Sequence, residues 1–481
     1  MKRRHPIIAL LLALALVAAA CGSDDDTAAD DTAADDTATG DTEADAAADE
    51  TTTTAEPSED SSEASDAAGP YEHLARAQAG EFEGTEVEIL AQWIEGEAEN
   101  FEAVLAPFEE QTGIEVNFEG ITDYETVLTV RVDGGNAPDL AQIAQPGLMQ
   151  TFASEGALVP LDDWINTDQL EADYIESFID LASYEGNLHG VYFKGDLKSI
   201  VWYPVEAFAE AGYEAPATWE ELVALSDQII ADGNGNPWCV SMEHGDATGW
   251  VATDWIEDVL LRTAPVEIYD QWVAHEIPFD HPEVLEAAEL TSQIWFTPDY
   301  VFGGSTNINA TFVGDTQTPM FDETGPKCWL HKQAAWIPEF WPEGTEAGVD
   351  SSFFYFPPIE EEYGSPVLGA GDMFVMFNDR PEVRALLEYL ATPEAAQPWI
   401  EAGGFVSPNQ SVPLDWYGTY PNDELAAILA DASTFRFDAS DTMPAEVGSG
   451  TFWGGMIDWV SAGGEGTEAI LADIDSSWPS P

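Results

Sequence analysis

The chain has 481 residues, and its 92 acidic side chains outnumber the 13 basic ones to give a formal charge of −79. That balance excludes a nucleic-acid backbone as ligand, because phosphate binding needs clustered Lys and Arg. The surface instead reads as a solvated acidic shell that keeps a protein soluble in salty surroundings, an acidic surface that steers one ligand being the other reading.

Met1 is followed by Lys2, Arg3 and Arg4, then by an apolar run from Ile7 to Val17 and by Ala18, Ala19 and Ala20. A charged start, a short apolar stretch and small residues at its end predict a bacterial secretory signal over residues 1–20. The run is shorter than the roughly 20 apolar residues that cross a bilayer. No later segment is longer, so the mature protein is expected outside the cytoplasm and otherwise soluble. The small residues before Cys21, with Gly22 and Ser23 after it, resemble the lipobox of bacterial lipoproteins, although Ala18 stands where Leu is usual. The resemblance implies cleavage before Cys21 and lipidation of that residue, and several acyl chains anchor stably where one does not. Ordinary cleavage that leaves a free Cys21 is the other reading. Residues 21–70 are almost wholly Ala, Asp, Glu, Thr and Ser. Low hydrophobicity with like charge predicts a disordered, self-repelling acidic tether.

The body that follows is too long for one simple core and suggests two lobes. Val87–Leu90 reads as a first strand. Phe101, Val104, Leu105 and Phe108 then recur at helical spacing within 98–111, which is one buried face. Thr112-Gly113 ends that helix, and 114–118 alternates apolar and polar as a second strand. The stretch 124–132 is helical again, Gly134-Gly135-Asn136 breaks it, and 139–143 is a third strand. Strand, helix, strand, helix, strand predicts a parallel α/β layer, with ligand beyond the carboxyl ends of the strands. With Cys21 assigned to lipid, Cys239 and Cys328 remain as an even pair, expected to form a disulfide outside the cytoplasm. His244 and His331 lie near them in sequence, but the spacing matches no zinc pattern.

Several segments together are similar to one family. Thr112 to Val116 and Gly134 to Leu140 (GGNAPDL) come first. Phe152 to Asp163, Ser199 to Tyr203, and Pro216 to Leu222 (PATWEEL) follow in order. In the last of these, Thr218 and Glu221 have the spacing of a capping box. This series resembles the family 1 extracellular solute-binding proteins, which are maltose-binding-protein-like. Pro237-Trp238-Cys239, Ala247 to Trp250, Thr253 to Asp258 and Cys328 to His331 resemble the α-glucoside-binding branch of that family. The resemblance covers roughly residues 84–475. It implies an α/β fold of two lobes joined by crossing strands, with the ligand held in the cleft between them. Lobe one is expected over 84–195 plus 366–408, and lobe two over 198–365 plus 411–475. Closure around ligand would be a hinge motion.

Sugars present an apolar C–H face and an edge of hydroxyls, so a sugar site needs flat aromatic platforms and planar polar groups. Trp93, after strand one, is a candidate platform by its place. Trp202, Trp329 and Trp453 are candidates because the resemblance places them where family members carry stacking aromatics. For each, a buried core ring is the alternative. The polar candidates are Glu97 and Gln145 after strands one and three, Asp196 at the first crossing and Asp372 at the return crossing. Asp254 and Trp255 come from the branch motif. Lys194 and Lys198 flank Asp196, so a local ion pair is the bland reading there, while Asp139 reads as closing the turn after Pro138. The function implied is a sugar-binding lipoprotein on the outer face of the membrane, a monomer that serves the permease subunits of an ABC importer. A secreted glycoside hydrolase is the competing reading, needing two carboxylates about 5–10 Å apart. The sequence shows no nucleophile elbow, no H-E-x-x-H and no phosphate-binding loop, so no catalytic, metal or cofactor residue is assigned.

Overall fold

The computed structural model describes residues 70–418, 421–430 and 432–479. The signal, Cys21 and most of the tether lie outside the described residues. Among the described residues no helix is long and apolar enough to cross a membrane.

The first three strands form as their patterns predict. Glu86–Ala91 pairs in parallel with Glu115–Gly120 on one side and with Leu140–Ile143 on the other. The helix between the first two, Glu95–Thr112, buries Phe101, Val104, Leu105 and Phe108, the face its spacing marks out. Gly113 ends it with φ 68°, a left-handed conformation that a side chain would strain. The long strand Pro366–Met376 adds to this sheet, antiparallel to Leu140–Ile143, and Gly190–Leu197 and Thr434–Phe437 both pair with it.

A second sheet runs Ser351–Tyr355, Ile200–Pro204, Cys328–Lys332, Asn236–Trp238. Cys239, one residue beyond its edge strand, is bonded to Cys328, with Cα atoms 5.3 Å apart. The cross-link spans 89 residues of sequence and restricts the unfolded chain accordingly.

Each sheet has its own apolar core. Phe193 belongs to the first and Val201 to the second. Leu368 belongs to the second, Ala370 to the first, Phe437 to the first and Ala439 to the second. The chain therefore crosses between the lobes three times, each crossing only a few residues long. The segment up to Phe437, expected with lobe two from 411 onward, pairs instead with the first sheet through Thr434–Phe437. The crossings are tied by buried polar groups. Ser199 Oγ donates to Asp258 Oδ1 at 2.7 Å and accepts from the Leu368 amide at 2.8 Å. Arg262 pairs with Asp258 and donates to the carbonyls of Phe356 and Pro366, and Lys332 lies 3.1 Å from the other Asp258 oxygen.

Candidate functional site

Beside the crossings, between the two cores, lies a cleft. One wall stands at the carboxyl ends of the first sheet's strands, where open α/β sheets bind ligands. It carries Gln92 and Ile94 after the first strand, Glu97 in the opening turn of the next helix, and Ala144 and Gln145 after the third strand. Lys194, Asp196, Ala370 and Asp372 come from the crossing strands. The facing wall is aromatic: His244, Trp250, Phe312, Trp336, Phe340 and Trp453. The space open to water-sized molecules is about 90 Å³.

The polar wall is built around Lys194. Its Nζ lies 2.7 Å from Glu97, 3.5 Å from Asp196 and 4.0 Å from Asp372, and 5.1 Å from the Trp399 ring centre. Burial disfavours the ammonium, but Asp196, Glu97 and Asp372 outweigh it and hold Lys194 above its ordinary pKa. Burial raises Glu97, and it pushes Asp372 up to about 8, with Asp196 and Glu97 adding to the effect and Lys194 opposing it. Gln142 donates to Asp372 at 2.7 Å and fixes its orientation.

At the floor, Lys198 Nζ bonds Asp254 at 2.8 Å and Asp438 at 2.6 Å. Ser440 Oγ donates to Asp438, and Trp453 Nε1 donates to Ser440 Oγ at 3.0 Å, so the indole is held by the same network. Asp254, Glu257 and Asp438 offer oxygens within 4.8 Å of one another, a metal-like set. Two of those three carboxylates already bind the Lys198 ammonium, and Glu257 accepts from the amides of Ala439 and Ser440. The set is a buried ion-pair cluster.

Two hydrogen bonds join residues of the two lobes. The Thr126 amide donates to Asp246 at 2.8 Å, and Glu125 beside it is pushed up to about 8 by burial and then by Asp246. Trp399 Nε1 donates to Glu339 at 3.0 Å, and Glu339 is pushed up to about 8 by burial and then by Glu97.

Of the residues singled out in the sequence, Glu97, Gln145, Asp196, Asp372 and Trp453 line this cleft. Trp93, Trp202, Trp255 and Trp329 do not; they are 0%, 1%, 1% and 5% exposed and serve the cores. Trp93 packs on Phe101 and Trp399, with ring centres 4.8 and 5.0 Å away. Its neighbour Gln92 faces the cleft instead, the one-residue alternation of extended chain. Trp202 lies between Trp341 and Phe353 and donates to the Gln333 carbonyl. Trp255 packs on Trp238 and Phe356, and Trp329 donates to the Asn234 carbonyl. Asp254 lies beneath the cleft as the partner of Lys198, not on its wall. Trp250, Trp336, Phe312, Phe340 and His244 were not among the expected ligand contacts. Trp250 follows Gly249, whose φ of 122° and approach to the Trp453 carbonyl leave no room for a Cβ. Trp336 lies four residues beyond Cys328–Lys332, a sheet-two strand end that the strand-end rule covers equally well.

Residues 103–427 match the family described as "Bacterial extracellular solute-binding protein". The chain is 44% identical over 403 residues to the osmoprotective compounds-binding protein GgtB of Synechocystis sp., covering 83% of this chain and 94% of that one. It is 41% identical over 413 residues to the alpha-glucosides-binding periplasmic protein AglE of Rhizobium meliloti, covering 83% and 88%. Among solved structures, the bacterial solute receptor AcbH superimposes with a TM-score of 0.69 at 18% identity, covering 82% of this chain and 97% of that one. Maltose-bound MalE3 of T. maritima gives 0.65 at 14% identity, covering 82% and 98%. These two share the two-lobe fold.

Proposed function

The chain belongs to the bacterial extracellular solute-binding proteins, a family that binds rather than catalyses, and from that premise we propose that it captures a sugar in the interlobe cleft and delivers it to the permease of an ABC importer. The ligand class we assign is an α-glucoside, from a disaccharide down to a small glucosylated osmoprotectant. The names of the two relatives point to that range. The observation that carries the reading is the pairing of half-buried aromatic rings, Trp250, Trp336, Phe312 and Phe340, with a facing wall of carboxylates and amides. Flat rings serve the C–H face of a sugar, and the opposite wall serves its hydroxyls. The lobes hinge at the three crossings, and Cys21, lipidated, holds the monomer on the outer face of the membrane.

A thermal-shift screen of the mature body in high salt, against trehalose, sucrose, maltose and glucosylglycerol, tests the class. A ligand that binds only the folded state adds about 2.7 kcal/mol at a hundredfold excess over Kd, so one glucoside is expected to raise Tm clearly. A folded sample that responds to no sugar overturns the assignment.

The same ligand is expected to bind more weakly as pH rises. Burial raises Glu125 and Glu339 from an ordinary 4.5 to about 8, with Asp246 from across the cleft adding to the first and Glu97 to the second, and parting the lobes would remove a share of both effects. The closed form thus holds protons that the open form releases between those values, so closure is favoured at low pH and loses that support as pH climbs to 8. For each linked proton the slope reaches at most about tenfold per pH unit. Titration calorimetry from pH 5.5 to 8.5 reads it, and Glu125→Gln should flatten part of the curve. A flat wild-type profile refutes the linkage.

A further inference from the structure

We propose that His244 is a specificity-determining donor of the cleft, a neutral imidazole held in one tautomer that offers its Nε2–H to an acceptor oxygen of the bound sugar. The sugar half of this statement rests on the function proposed above; the tautomer does not. Trp250 Nε1 lies 3.2 Å from His244 Nδ1. An indole N–H can only donate, so Nδ1 must be bare and accepting. A neutral ring then carries its proton on Nε2. Burial lowers the pKa of His244, against Glu243, Asp246 and Asp123, which work the other way. Nε2 has no protein partner among the described residues, and the ring lines the cleft. The ring is fixed from both sides: its centre is 6.3 Å from that of Trp250 and 5.8 Å from that of Phe312. Its backbone amide bonds Thr248 Oγ1 at 3.0 Å.

The rest of the cleft gives this donor its meaning. Lys194 is bonded to Glu97, Lys198 to Asp254 and Asp438, one N–H of Gln145 to Glu125, Gln92 Nε2 to Asp372 and Trp453 Nε1 to Ser440, which leaves His244 Nε2–H, the second N–H groups of those amides and Trp336 Nε1 as donors for a ligand. The carboxylates leave acceptors in surplus, which serve sugar hydroxyls as donors. A ring or glycosidic oxygen has no hydrogen and can only accept. His244 Nε2–H answers that need and, being locked, cannot serve a group that must donate.

Two measurements test it. A long-range ¹H–¹⁵N spectrum of the ligand-free mature protein at pH 7, with the His244 signals assigned by their loss in His244→Phe, should show a neutral ring protonated at Nε2. A Nδ1–H tautomer or a cation there overturns the proposal. Trehalose, sucrose and maltose are then titrated into the wild type, His244→Phe and His244→Gln. The Phe variant keeps an aromatic ring and loses the Nε2–H donor, together with the Nδ1 acceptor of Trp250, so binding should weaken by roughly tenfold or more. The Gln amide reaches the Nε2 position and should stay within roughly threefold. Unchanged binding in a folded Phe variant overturns the donor role. If that variant does not fold, the Gln variant decides: loss of binding as steep as that expected for Phe, in a folded sample, goes against the donor. The same titrations include glucosylglycerol, and if none of the four binds the wild type, the sugar reading fails and the spectrum alone decides the tautomer.

Discussion

Lys198→Ala is expected to cost about 3–5 kcal/mol of stability, the range for stripping one partner from a buried ion pair. Lys198 is buried at the first crossing between Asp254 and Asp438, with Asp441 and Glu257 behind them. Burial pushes Asp254, Glu257 and Asp441 well above the carboxylate range. Burial acts on Asp438 too, but Lys198 and the hydrogen bonds from Asp254 and Ser440 overcome it and hold that group below its ordinary value. Without the ammonium the cluster keeps its acids and loses its counter-charge. Water does not reach it readily, so protons must be taken up instead, and the loss should shrink as pH falls. Urea unfolding of the variant reads the effect. Lys198→Ala with Asp438→Asn should recover part of it, because the two residues act on each other directly. A loss below about 1 kcal/mol would mean that the cation is dispensable.

Trp250→Ala is expected to weaken ligand binding by about 2–4 kcal/mol, which is roughly 30- to 1000-fold in Kd. The ring is half-buried, faces the carboxylate wall, holds His244 in place and lies 5.1 Å from Lys198 Nζ. Its loss removes a platform and loosens two neighbours. Trp336, whose ring centre lies 6.1 Å from that of Trp250 and 5.5 Å from that of Phe340, makes no hydrogen bond to His244, so Trp336→Ala tests a platform without unhooking that imidazole. Trp255→Ala provides the contrast. That ring is sealed in the second core against Trp238, Trp295 and Phe356, and its removal should lower stability by about 3–5 kcal/mol through the cavity it leaves. Calorimetry on the folded variants separates the two kinds of tryptophan. Trp250→Ala that binds as the wild type would remove this wall from the site.

Much of the fold was legible because period and burial agree. Phe101, Val104, Leu105 and Phe108 mark one helix face, and Gly113 marks its end. Glu97 and Gln145 were legible because they stand just beyond strand ends, where position selects them, whereas Asp196 and Asp372 were legible through the crossings that the family resemblance implies. The tryptophans were harder. Position 93 and position 92 both follow the first strand, and only the direction of the chain there decides that Gln92 meets the ligand. Trp202 lies inside a strand whose flanks, Phe353 and Trp341, come from later in the chain. Their closure over the ring is a tertiary fact with no local trace. The Thr253 to Asp258 motif was read for ligand contact, whereas its acids brace the crossings through Lys198 and Ser199.

The first sheet draws its strands from stretches as far apart in the sequence as Glu86–Ala91 and Thr434–Phe437. The second core likewise needs Val201 and Ile474. Neither lobe is a continuous stretch, so neither is complete until almost the whole chain is available. Pairings of such long sequence separation form slowly. The polypeptide should therefore remain unfinished for most of its emergence from a ribosome or a translocation channel, and both lobes should reach their native state in one late, shared event.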